Sequence, residues 1–212
     1  MTDLDVKWIF FDLGATLVDE SDVYASRCNF AARQLSIKPE DFLKRVYEEA
    51  GKSPTPIRTV AKACGVVLPE WDNSLEKLYD ATYGVLSGLY GKYKLGIIAN
   101  QSLGTQERID NWGIGKFFNV VMASAEAGCA KPDPGIFTAA LQKAGCEPGE
   151  AVMIGDRLDN DIIPAKKLGM KTIWVRQGFA IYQKIDDESK RPDHIVDSID
   201  ELSGLFGKES YE

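Results

Sequence analysis

Asp12 closes an apolar run, 6–11, and opens the stretch Asp-Leu-Gly-Ala-Thr-Leu. A short run rich in aromatic and branched residues, bounded by Asp12 and Gly14, reads as a strand buried on both faces. A carboxylate at the carboxyl end of such a strand stands beside a sharp turn and projects into the crevice where open α/β sheets bind ligands. A second acidic group follows another apolar run: Asp156, Asp159, Asn160 and Asp161 crowd together in Gly-Asp-Arg-Leu-Asp-Asn-Asp. Such groups repel one another unless a cation or solvent relieves them, and hard oxygen ligands of this kind suit Mg²⁺ rather than zinc. Asp159 and Asn160 read as solvated residues of a helix N-terminus, where acidic side chains are favoured. Asp156 and Asp161 are assigned to a site. Lys131, in Ala-Lys-Pro-Asp-Pro, lies on a loop that its prolines hold extended. A lysine so placed can meet an anionic substrate and neutralise charge near Asp12.

The elements that must position these residues are legible as alternating patterns. Apolar runs like the first recur at 95–99, 120–123, 151–154 and 172–175, and His194 reads as the entry to a late strand with no catalytic role. Helical patterns separate the later runs, at 106–112, 136–144 and 162–168. Pro134 falls in the first turn of the second of these, after Asp133, and Gly145 follows its end. Alternation at this spacing predicts a Rossmann-like, doubly wound parallel sheet in an α/β fold. One segment breaks the pattern. Between residues 17 and 90 only helical patterns occur, at 23–35, 39–50, 57–63 and 75–86, punctuated by Pro54, Pro56 and Pro69. This predicts a helical cap domain, 17–90, inserted after the first strand of a core formed by 1–16 and 91–212. The last residues, 208–212, are expected to fray.

The composition limits the chemistry further. With 44% hydrophobic and 27% charged residues among 212, the chain can bury a core and is not disordered. No apolar run reaches the roughly 20 residues needed to cross a bilayer. The acidic N-terminus runs straight into a strand and is expected to be neither a signal nor a transit peptide, which leaves the cytoplasm as the expected location. A net charge of −7 without any basic cluster discourages binding to nucleic acid or to an anionic membrane. Cys28, Cys64, Cys129 and Cys146 lack metal-site spacing, and with a single histidine they make a poor zinc inventory. They read as four reduced cysteines, mostly packed. Catalysis would therefore rest on carboxylates, lysine and backbone groups. Nothing in the sequence specifies an oligomeric state.

Taken in order, these motifs resemble those of the haloacid dehalogenase superfamily over nearly the full chain. Residues 12–17 stand where that family carries its nucleophile. The stretch Leu-Gly-Ile-Ile-Ala-Asn, ending at Asn100, stands at its second motif, Lys131 at its third, and Gly155, Asp156 and Asp161 at its fourth. The helical insert resembles the family's cap. The resemblance implies phosphomonoester hydrolysis of a small phosphorylated metabolite, with Asp12 as nucleophile. It implies Mg²⁺ held by Asp12, the Gly14 carbonyl, Asp156 and Asp161, the last also able to position Lys131. Lys131, Asn100, Gln101 and loop N–H groups would meet the phosphate, and cap arginines such as Arg27, Arg33 and Arg58 are placed to meet a substrate anion.

Two positions depart from the family pattern. A second Asp ordinarily lies two residues after the nucleophile, where it protonates the leaving group and activates water; here that position is Gly14. General acid–base help is worth about 10²–10⁴-fold in rate, so the resemblance implies a slow enzyme or a substitute. Asp19 and Glu20 are the nearby carboxylates, although both also read as acidic residues at a helix start. Ala99 replaces the Ser or Thr of the second motif and removes a hydroxyl donor. The dehalogenase branch also lacks the second Asp, but resemblance to it would imply an aromatic residue at position 14 and no Asp at 156. A third reading is a fold that binds phosphate or a partner protein without turnover.

Overall fold

The computed structural model describes residues 5–207, so the expected fraying of 208–212 lies outside the described residues. In chain order the elements are β1 (Trp8–Phe11), β2 (Val18–Asp19), α1 (Ser21–Gln34), α2 (Pro39–Ala50), α3 (Pro56–Ala63), β3 (Lys77–Leu78) and α4 (Thr82–Leu89). There follow β4 (Lys94–Ala99), α5 (Thr105–Asn111), β5 (Val120–Ala123), α6 (Ser124–Ala127), α7 (Pro134–Ala144) and β6 (Ala151–Gly155). The chain then forms α8 (Ile163–Lys167), β7 (Lys171–Val175), β8 (His194–Val196) and α9 (Leu202–Phe206). Six strands pair in the order β5-β4-β1-β6-β7-β8, every pair parallel. This is the Rossmann-like α/β sheet that the apolar runs predict. β1 lies between β4 and β6, where the winding direction reverses, and that switch point opens the crevice.

Side chains along each strand alternate between two cores. Ile9 and Phe11, with Leu95, Ile97, Val152, Ile154 and Ile173, face a cluster closed by Val85, Leu86, Ile109 and Leu202. Phe10, Ile98 and Met153 face the opposite cluster, closed by Ile136, Phe137, Ala140 and Ala165. Both faces of the sheet are thus covered, which is why its strands read as continuous apolar runs rather than alternating ones. Burying each such side chain fully contributes about 1.5–3 kcal/mol. Helices α1 to α3 share a separate cluster built on Ala31, Ala32, Phe42, Val46, Ile57 and Ala61.

The expected helix at 75–86 is divided in the structure. Lys77 and Leu78 pair antiparallel with Asp19 and Val18, and the Thr82 hydroxyl donates to the Leu17 carbonyl at 2.7 Å. These contacts hold the segment as a two-stranded ribbon until α4 begins at Thr82. Val85, Leu86 and Leu89 of α4 then bury against the sheet rather than against α1 to α3. Among the described residues, no helix is long and apolar enough to cross a membrane.

Candidate active site

Parallel pairing brings the carboxyl ends of β1, β4 and β6 to one edge, and the expected acidic residues meet there. The Asp12 N–H donates to the Ile154 carbonyl at 2.8 Å, so the chain stays tied to β6 one residue beyond the end of β1. Asp156 follows β6, and its carbonyl accepts from the Trp174 indole at 2.7 Å. Asp161 lies in a single wide turn of π-helix, Leu158–Ile162. It approaches the strand end closely because Gly155 has no side chain: a Cβ there would fall 2.5 Å from the Asp161 carboxyl carbon. Asp12, Asp156 and Asp161 each offer an oxygen within 4.8 Å of the others.

One buried cation joins two of these three. The Lys131 ammonium is 2.7 Å from Asp12 Oδ1 and 2.6 Å from Asp161 Oδ1, with its side chain almost wholly buried. Burial opposes its charge, but the Asp12 and Asp161 carboxylates prevail and raise it above the usual lysine value. Asp161 is pushed up to about 6, chiefly by burial, although Lys131 pulls it back. Its second oxygen accepts from the Arg157 N–H at 2.9 Å. Asp156 is held well above the carboxylate range by burial and then by the charges of Asp161 and Asp12. Three converging carboxylates facing one ammonium leave an excess of negative charge, and all their donors are hard oxygens. That set fits a divalent cation of the Mg²⁺ class, which would relieve the buried Asp156.

The other expected site residues stand at one remove. The Asn100 amide brackets the Lys131 backbone, donating from Nδ2 to its carbonyl at 2.9 Å and accepting its N–H on Oδ1 at 2.7 Å. Gln101 accepts from the Arg108 guanidinium through Oε1. Its carbonyl accepts from the Ala125 N–H and the Ser124 hydroxyl, each at 3.2 Å. Asp159 forms a two-pronged pair with Arg157, both contacts at 2.8 Å; it is therefore ion-paired rather than merely solvated. Arg33 and Arg58 are exposed, while the Arg27 guanidinium stacks 5.4 Å from the Trp71 ring centroid.

Two residues near the site carry weight that the motif reading did not give them. Arg157 fixes Asp161 by its N–H and reaches the helical layer by its guanidinium, donating to the Ala50 carbonyl at 3.3 Å. Its place directly after Asp156 was the available signal. Close by, a Cβ on Gly51 would fall 2.5 Å from the Tyr182 carbonyl oxygen, so the layer touches the core backbone there. Glu20 is buried beside Gly14 and accepts from the Tyr24 hydroxyl through Oε2. Burial raises it to about 7, against the opposing Tyr24 hydrogen bond and with help from the Asp12 charge.

Comparison with known proteins agrees with this architecture. A family model described as HAD-hydrolase-like matches residues 128–202. A glyceraldehyde 3-phosphate phosphatase of Methanopyrus kandleri is 38% identical over 52% of this chain and 51% of its own. The chain thus spans about half the length of that relative. Pyrophosphatase PpaX of Bacillus velezensis is 28% identical over 98% of this chain and 99% of its own. The crystal structure of a HAD phosphatase from Thermococcus onnurineus superposes with a TM-score of 0.66 at 25% identity, covering 96% of this chain and 99% of that one. In its sheet order, in the motifs gathered at one sheet edge and in these likenesses, the chain resembles the haloacid dehalogenase-like hydrolases over nearly its full length.

Proposed function

We propose that this chain is a Mg²⁺-dependent phosphatase that hydrolyses a small phosphorylated metabolite through an aspartyl-phosphate on Asp12. The observation that carries the reading is the Lys131 ammonium fixed between Asp12 and Asp161 at 2.7 and 2.6 Å, with Asp156 alongside. Asp12, Asp156 and the Gly14 carbonyl would hold the metal, which when bound screens the repulsion between a carboxylate and a phosphate. Asp161, with its two oxygens engaged by Lys131 and the Arg157 N–H, sets the ammonium in place.

Asp12 attacks phosphorus; the bond from phosphorus to the ester oxygen breaks and the Asp12–phosphorus bond forms. Water then attacks the acyl phosphate, the Asp12–phosphorus bond breaks, and inorganic phosphate leaves. Lys131 balances charge on the transferring oxygens throughout. Asn100 contributes by fixing the Lys131 backbone. Helices α1 to α3 are read as the cap that selects the substrate. The buried Asp156 beside Asp12 favours phosphate over displacement of halide from carbon, which has no use for a cation site. A cytoplasmic setting is part of the same reading and is supported by the four free cysteines.

The test is phosphate release from p-nitrophenyl phosphate and a metabolite panel, with Mg²⁺ or with chelator. Release that needs the metal and vanishes in Asp12→Asn is expected. Equal release by that variant removes Asp12 as nucleophile.

A further inference from the structure

We propose that Glu20 supplies the general acid and base that the sequence lacks at position 14. The inference rests on the phosphatase reading above and deepens it. A Cβ built on Gly14 would lie 2.2 Å from Glu20 Oε1, 2.8 Å from its carboxyl carbon and 3.1 Å from Oε2. The Glu20 carboxyl thus fills the space that an Asp side chain at position 14 would occupy.

The local fold explains how a residue six positions on returns to this point. The Leu13 carbonyl accepts the N–H groups of Thr16, Leu17 and Val18, and Ala15 takes a left-handed conformation with φ 51°. The chain turns tightly back, Gly14 bridges to Val18, and α1 starts directly after Glu20. Oε2 is held by the Tyr24 hydroxyl, which leaves Oε1 as the oxygen turned toward Gly14. The other nearby carboxylate is occupied elsewhere. Asp19 accepts the Ser21 N–H at 2.9 Å and lies 3.8 Å from the Lys77 ammonium.

The steps balance. Protonated Glu20 gives its proton to the ester oxygen as the bond from that oxygen to phosphorus breaks and the Asp12–phosphorus bond forms, so the product departs as an alcohol. The resulting carboxylate takes a proton from the water that attacks the aspartyl-phosphate. Phosphate leaves, and Glu20 is protonated again for the next turnover.

The experiment compares wild type, Glu20→Gln, Glu20→Ala and the exchange variant Gly14→Asp/Glu20→Ala, all with Mg²⁺, on aryl phosphates of graded leaving-group acidity and one alkyl phosphate. Circular dichroism checks folding. Glu20→Gln is expected to lose about 10²–10⁴-fold on the alkyl ester and little in the first step with p-nitrophenyl phosphate. It should then release a burst of nitrophenolate while intact-protein mass shows a phosphoryl group accumulating on the chain. The exchange variant should recover alkyl-ester turnover relative to Glu20→Ala. Equal loss on every ester without phosphoprotein, or unchanged rates in Glu20→Gln, overturns this proposal alone. A wild-type protein that hydrolyses none of the esters overturns the phosphatase reading and this proposal with it.

Discussion

The side chain of Asn100 brackets the backbone of Lys131, donating to its carbonyl and accepting its N–H at 2.9 and 2.7 Å. Neither bond involves the ammonium, so Asn100 determines where the lysine starts and leaves its tip to Asp12 and Asp161. Replacing Asn100 by Ala should therefore reduce turnover through Lys131. In a cycle of Asn100→Ala, Lys131→Ala and the double variant, kcat/KM effects should be non-additive by about 0.5–3 kcal/mol. Strict additivity would mean that Asn100 touches phosphate independently.

Lys131 is the counter-charge for two carboxylates in a largely buried setting. Lys131→Met leaves them facing each other and should destabilise the metal-free protein by about 3–5 kcal/mol, measured by urea unfolding. Adding Asp161→Asn should return part of that loss. Lower stability still in the double variant would contradict the charge argument.

Glu20 gives a pH dependence whose sign can be stated. Its folded-state pKa is raised by burial from the ordinary 4.5 to about 7. Between those values the folded protein holds more protons than the unfolded chain, so this group's contribution falls as pH rises from about 4.5 through 7. Glu20→Gln removes the penalty while keeping an acceptor for Tyr24. In chelator, the melting temperature of Glu20→Gln relative to wild type should rise from pH 5 to pH 8, corresponding to at most about 3 kcal/mol. A difference that stays flat with pH would place Glu20 in an ordinary, solvated state.

Gly155→Ala introduces a methyl group 2.5 Å from the Asp161 carboxyl carbon and 2.6 Å from its Cβ. Overpacking of this kind costs about 1–3 kcal/mol. A lower unfolding midpoint is expected, together with weaker activity because Asp161 loses its hold on Lys131.

The strands were legible because both faces of the sheet are buried, so their runs at 95–99, 120–123 and 151–154 stand out without any partner being known. Helix α7 was equally plain. Asp133 accepts the Gly135 N–H at 2.7 Å at its start, and Gly145 ends it at φ 64°. The segment at 75–86 was misread as one helix because its apolar spacing reflects two different burdens, a ribbon at Leu78 and a helix face at Leu86. Proximity across a turn was harder still to read. Hydropathy sees Glu20 as an acidic residue before a helix, and only the fold-back through Leu13 sets it against Gly14. The same contact alters the obvious repair: Gly14→Asp alone would collide with Glu20, so the exchange must be made at both positions.

The contact between Arg157 and Ala50, with Gly51 pressed on the Tyr182 carbonyl beside it, has a directional consequence. The helical layer is also stitched to the sheet by its two connections at the β2–β3 ribbon. Any opening of that layer away from the sheet would therefore have to break the Arg157–Ala50 hydrogen bond and separate Gly51 from Tyr182.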